Sequence, residues 1–180
     1  VQNVVVTVNP TPVLTSTLFP AAICSGSTFG YTATSSTAGA TFSWTRAAVV
    51  GIAEAAGSGT GNVSEVLTNT TTGPLNVTYA YTVSANGCTN ASVFNVDVTV
   101  NPRPVLSSTL TPAAICSGSI FGYTATSGTG GATFAWSRAA IGGILEAANS
   151  GSGNVSETLT NVTTAPINVT YVYTVTANGC

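Results

Sequence analysis

Four cysteines, Cys24, Cys88, Cys116 and Cys180, and five carboxylates are the groups in this 180-residue chain whose types could do chemistry. Nucleophilic catalysis needs a base beside a Ser or Cys, and the chain has neither His nor Lys. A glycosidase needs two carboxylates a few ångströms apart. Glu54 and Glu65, recurring as Glu146 and Glu157, are the pairs to consider, and they read better as isolated surface or loop carboxylates. A calcium site from Glu65, Asp97 and loop carbonyls lacks the acid-rich loop such sites use. Zinc would want closely spaced Cys or His ligands, whereas the cysteines fall in pairs 64 residues apart. The expectation is no catalytic residue, no metal and no cofactor. Structural disulfides are the better reading of the cysteines, and they imply an oxidising, non-cytosolic location.

What positions those cysteines is a duplication. Residues 1–88 align without a gap on residues 93–180, an offset of 92, with 67 of 88 positions identical. Cys24 maps to Cys116, Trp44 to Trp136, Tyr79 and Tyr81 to Tyr171 and Tyr173, and Cys88 to Cys180. One repeat is therefore the structural unit, about the size of a small sandwich domain. The layout expected is 1–8 as the last strand of a preceding repeat or a donor strand, 9–100 as repeat 1, and 101–180 as repeat 2 lacking its last strand. On that reading the chain is an excerpt of a longer polypeptide, or Val1–Val8 completes the open sandwich of another chain. Pro10 and Pro12, and again Pro102 and Pro104, make short stiff connectors between repeats.

Charged residues are only 4% of the chain and the net charge is −2. Three arginines and no lysine create no basic face, which disfavours nucleic acid, and weak self-repulsion eases lateral association. Thr, Ser, Asn and Gly interrupt every apolar run, so no stretch reaches the 18 residues of a spanning helix and no membrane insertion is expected. Period-two alternation marks strands throughout. Phe29, Tyr31 and Ala33 share one face, as do Phe42 and Trp44, and Val77, Tyr79, Tyr81 and Val83 make the clearest core stripe. Val63, Glu65 and Leu67 share a parity, which puts a carboxylate on an apolar face or marks a bulge. Residues 47–56 read as an irregular crossover, and Asn86-Gly87 as a hairpin turn. About seven strands per repeat are expected, with Trp44 packed against Tyr79 or Tyr81 in the core.

The segments ICSGSTFGYT, TFSWTRAA, GSGTGNVSE, NVTYAYTVSANGC and VDVTVNP, in this order twice over, resemble the PKD-like or immunoglobulin-like tandem repeats of very large secreted Bacteroidota proteins. Type IX-secreted adhesins of the gliding-motility class are among those. The resemblance covers essentially the whole chain and implies an all-β fold of tandem immunoglobulin-like antiparallel sandwiches. It also implies an extracellular or outer cell-surface location and a role as a fibre or adhesin stalk. The partners expected are neighbouring repeats of the same chain, identical chains and surface polysaccharide. Exposed aromatics would favour polysaccharide binding; here nearly every aromatic sits at a core-parity position, with Phe19, replaced by Thr111 in repeat 2, one exception.

Disulfide pairing stays open between two schemes. Pairing within repeats gives Cys24–Cys88 and Cys116–Cys180. In an immunoglobulin topology these points lie at opposite ends of the sandwich, about 30 Å apart along a strand, against less than about 7 Å between the Cα atoms of a disulfide. Pairing between repeats gives Cys24–Cys180, with Cys88 and Cys116 left to neighbouring repeats. Seven Asn-x-Ser/Thr sequons, at Asn62, Asn69, Asn76, Asn90, Asn154, Asn161 and Asn168, reflect the abundance of these residue types in strands rather than glycans.

Overall fold

The computed structural model describes all 180 residues, Val1–Cys180, and the fold is all-β, an antiparallel sandwich without a helix. The chain divides into two compact units, Val1–Pro102 and Arg103–Cys180.

Unit 1 holds eight strands: β1 (Ile23–Cys24), β2 (Ser27–Tyr31), β3 (Thr41–Arg46), β4 (Gly57–Thr60), β5 (Val63–Leu67), β6 (Leu75–Ala85), β7 (Cys88–Thr89) and β8 (Phe94–Asn101). One sheet runs β1-β8-β6-β3-β4, with β7 folded back on the end of β6, and β2 pairs with β5 in a second layer. Six of the eight are longer than two residues, so the expected seven falls between the counts with and without the two-residue β1 and β7. β1 alone is parallel to its neighbour, placing Ile23 opposite Val100 and Cys24 opposite Asn101.

Alternation in β6 is read out literally. Val77, Tyr79, Tyr81 and Val83 are fully buried, while the residues between them face outward. Val96, Val98 and Val100 of β8 lie on the same inner face and are equally buried. Rings clasp the two layers, with Phe29 and Tyr79 centroids 5.2 Å apart and Tyr31 and Tyr81 5.4 Å apart. Trp44 meets Tyr79 edge to face at 5.5 Å, one of the two partners expected for it. The β6–β7 turn is made by Asn86 and Gly87 at φ 51° and 78°, the positive pair that an Asn-Gly hairpin turn demands.

Gly59 in β4 shows why an edge strand here reads GSGT. A Cβ at this position would stand 2.7 Å from the Trp44 ring, so the indole lies flat on bare backbone. Gly59→Val should therefore destabilise unit 1 by about 1–3 kcal/mol, the usual cost of overpacking. Urea denaturation followed by Trp44 fluorescence checks it, and an unchanged midpoint would reject the packing argument.

Unit 2 holds five strands: β9 (Ser119–Tyr123), β10 (Thr133–Arg138), β11 (Asn149–Ser152), β12 (Val155–Leu159) and β13 (Tyr171–Thr176). These form the sheets β11-β10-β13 and β12-β9. Each of the first four stands 92 residues after its counterpart β2, β3, β4 or β5, and the pairing register repeats as well. No strand of unit 2 occupies the place that β8 has in unit 1. The consequence is local: β13 spans six residues where β6 spans eleven, because residues 167–170 lack the neighbour that holds their counterparts extended. Tyr171 and Tyr173, expected in the core, are only half-buried for the same reason.

Residues 1–8, expected as a strand, are in none. Val4, Val6 and Val8 are 97%, 79% and 85% exposed. Asn9 is anchored, its Nδ2 donating to the Asn86 carbonyl at 3.0 Å. Of the four linker prolines, Pro12, Pro102 and Pro104 are buried and Pro10 is exposed.

Candidate functional site

The carboxylates expected as isolated surface groups are built into the sandwich. Arg46, 3% exposed at the end of β3, donates through Nε to Glu65 Oε2 at 2.9 Å and through Nη2 to the Ala55 carbonyl at 2.7 Å. The Tyr79 hydroxyl donates to the same carboxylate oxygen at 2.7 Å. Glu65 belongs to the β2–β5 layer, whereas Arg46 and Tyr79 belong to the larger sheet, so the cluster ties the layers together. Unit 2 repeats it with Arg138, Glu157 and Tyr171. Glu54 and Glu146 instead accept the backbone N–H groups of Thr68 and Thr160. The inward parity of Glu65 was legible; its partner was not, since Arg46 looked like any strand-end residue.

Charge in these clusters follows from their contacts. The hydrogen bond from Arg138 holds Glu157 down at about 2, against the opposing effect of burial. Burial pushes Glu65 up, but bonds from Arg46 and Tyr79 outweigh it and its pKa is lowered. Burial, then the Glu65 contact, drives the Tyr79 phenol far upward, and burial raises Tyr81 to about 12. Both glutamates are stronger acids folded than unfolded, where a Glu titrates near ~4.3. Their stabilisation is complete above that value and is lost as pH falls through the folded values. Thermal midpoints should therefore hold from neutral pH to about 5 and decline toward about 2. Glu157→Gln should flatten part of that decline; an identical acid profile in the variant would refute the assignment.

The cysteines divide unequally. Cys24 and Cys180 are disulfide-bonded, while Cys88, half-buried, and Cys116, exposed, carry free thiols. Neither within-repeat pair, Cys24–Cys88 or Cys116–Cys180, is formed. Unit 1 supplies the reason. Ile23 and Leu75 both pair with Val100, placing Cys24 at the start of β6, whereas Cys88 pairs with Ala85 at its end. Ten residue steps of strand separate those ends by about 33 Å.

Where β8 lies in unit 1, unit 2 has an apolar groove of about 590 Å³. Ile115, Phe121, Leu159, Ile167, Val169 and Tyr171 are among the side chains that line it. A smaller hollow continues it along Leu106, Tyr123 and Tyr173. Asn161 marks the groove's polar register. Its counterpart Asn69 donates through Nδ2 to two carbonyls, Gly73 and Val100, both at 2.8 Å. Asn161 Nδ2 donates to Ala165 at 2.8 Å, the equivalent of the first of these bonds. Asn69, a sequon by its sequence, is a buried tie between a loop and β8, and no sequence signal distinguishes it.

Other aromatic side chains give little for a ligand to stack on. Phe19 stands 75% exposed, as its parity suggested, with Thr111 in its place in unit 2. The residues singled out for metal or catalysis form no cluster of three or more potential ligands.

The PKD-like domain family matches residues 21–104, from just before β1 to just beyond β8. Comparison with curated proteins and with solved structures returned no match. The matched span is thus similar to a PKD-like domain.

Proposed function

We propose that this chain is a repeat segment of an extracellular bacterial fibre or cell-surface adhesin stalk, whose task is reach and mechanical stiffness. PKD-like domains are typically extracellular, and a disulfide fits an oxidising compartment. The observation that carries the reading is the distribution of cysteines. Cys24 and Cys180 are oxidised while their repeat equivalents Cys116 and Cys88 are not, which is the pattern of a bond joining one repeat to the next. On this reading Cys24 pairs with Cys180, and an array repeats that bond at every junction. The sequence supports it from another side: near-identical copies on short proline connectors suit a rod, whose stability is a sum of units and nearest-neighbour contacts.

The titratable groups that do meet, Arg46, Glu65 and Tyr79, are hydrogen-bonded to one another within the packing between the layers. Non-reducing peptide mapping tests the proposal directly. A Cys24–Cys180 cross-linked peptide is the expected product; a Cys24–Cys88 peptide would sink it. Negative-stain images of a four-repeat tandem should then show rods of even width rather than loosely strung beads.

A further inference from the structure

We propose that this chain is built to withstand secreted serine endoproteases of two specificities, those that cut after basic side chains and those that cut after aromatic ones. Its strands shield nearly every such residue, and Pro20 and Pro104 guard the two that the strands leave out. The proposal goes beyond the stalk reading and does not use its disulfide.

Such a protease seats the side chain before the scissile bond in a pocket, acidic for a base and apolar for an aromatic ring. The segment must first be free to enter the cleft as an extended chain, so nicking concentrates in exposed loops. A residue paired within a sheet is reached only when the sheet opens locally, and cleavage then follows the population of the open form. The chain has no lysine, and every arginine but Arg103 and every aromatic but Phe19 lies inside a strand. Residues that close a strand, where pairing ends, are held by their side chains as well. Arg46 and Arg138 are 3% and 2% exposed, too enclosed to enter a pocket. The hydroxyls of Tyr31 and Tyr123 donate to the Thr17 and Thr109 carbonyls at 3.0 and 2.9 Å.

The two residues outside strands are open to solvent. Phe19 is 75% exposed, and Arg103 stands exposed between β8 and β9. Each is followed directly by proline, Pro20 and Pro104. Proline makes the bond after Phe19 or Arg103 a tertiary amide, with no N–H and with a ring where the departing nitrogen must take up its proton. Eight prolines among 180 residues would seldom place one after both by chance. The repeats show the same rule from another side. Arg103 stands where repeat 1 has Thr11, and Thr111 stands where repeat 1 has Phe19, yet Pro12 and Pro20 recur as Pro104 and Pro112. Exposed side chains that a protease could read thus differ between the copies only where a shared proline already follows.

The test exposes the full chain to trypsin and to chymotrypsin. Fragments are separated on reducing gels, so that no disulfide hides a cut, and the cut bonds are read by mass spectrometry. The folded parent is expected to show no cut after any arginine or aromatic residue. Pro104→Ala should lose its full-length band to trypsin through a cut after Arg103, and Pro20→Ala should be cut by chymotrypsin after Phe19. Because Pro104 is itself buried, Val105→Arg supplies a second arm that leaves the prolines in place. Val105 is 60% exposed and Leu106 follows it, so trypsin should cut after position 105. Circular dichroism spectra matching the parent's establish that each variant is folded. A cut after Arg46, Arg138 or a strand aromatic in the folded parent would overturn the proposal. So would a folded Val105→Arg chain that stays whole, since the connector would then be closed for reasons other than proline. A Cys24–Cys88 peptide sinks the stalk reading and leaves this one standing; cleavage of the folded parent after an arginine does the reverse.

Discussion

Held by its two ends and pulled in non-reducing buffer, the chain should lengthen very little; adding reductant should release about 500 Å of hidden contour. On the proposed Cys24–Cys180 pairing, the tension path runs through residues 1–24 and crosses the S–S bond, bypassing the 155 positions between the two cysteines. At about 3.4 Å per extended residue, the free route amounts to about 80 Å and the bypassed route to about 500 Å. Both units sit almost wholly inside the bypass, so neither needs to resist unfolding under load. Single-molecule force spectroscopy with terminal handles reads this directly. Two unfolding steps in the absence of reductant, together giving the full contour, would exclude the Cys24–Cys180 bond and with it the stiff-rod proposal. The same closure constrains the unfolded chain by about 5 kcal/mol on the loop-entropy account, so reduction should also lower the denaturation midpoint.

The second large effect is expected inside the sandwich. Glu65→Leu leaves the Arg46 guanidinium, 3% exposed, without its carboxylate. Removing one member of a buried ion pair typically costs about 3–5 kcal/mol, because the remaining charge is stranded away from water. Replacing both partners, Arg46→Met with Glu65→Leu, should recover most of that loss, since the charge goes with its counter-charge. Each unit has one tryptophan, so Trp136→Phe leaves Trp44 as a reporter for unit 1 in urea titrations. A single variant costing less than about 1 kcal/mol would mean that water reaches the arginine and that the cluster is a surface pair.

How far the sequence could be read depended on whether a feature was periodic. Alternation alone identified β6 and its buried face, because side chains on a strand must alternate and only apolar ones tolerate the inner side. The Asn86-Gly87 turn was equally legible, since few residue pairs accept two positive φ values. Arg46 was not legible. A charged residue closing a strand is ordinarily solvated, and its burial follows from Glu65 arriving from another layer, 19 positions on in the chain. Asn69 hid in the same way, since an Asn-Thr-Thr triplet gives no hint that the amide will reach across to Val100.

Duplication, strand identity, the paired cysteine spacing and the want of catalytic bases were all determined by the order of residues, because each is a local or periodic property of the chain. Which thiols are oxidised and which carboxylates are enclosed were decided by tertiary structure. These depend on residues far apart in the chain meeting across a layer or along a sheet. Unit 2 shows the division most plainly. Tyr171 and Tyr173 are the same residues as Tyr79 and Tyr81, yet they are half-buried where the others are fully enclosed. Burial is conferred by the neighbouring strand, and a sequence pattern cannot supply a neighbour.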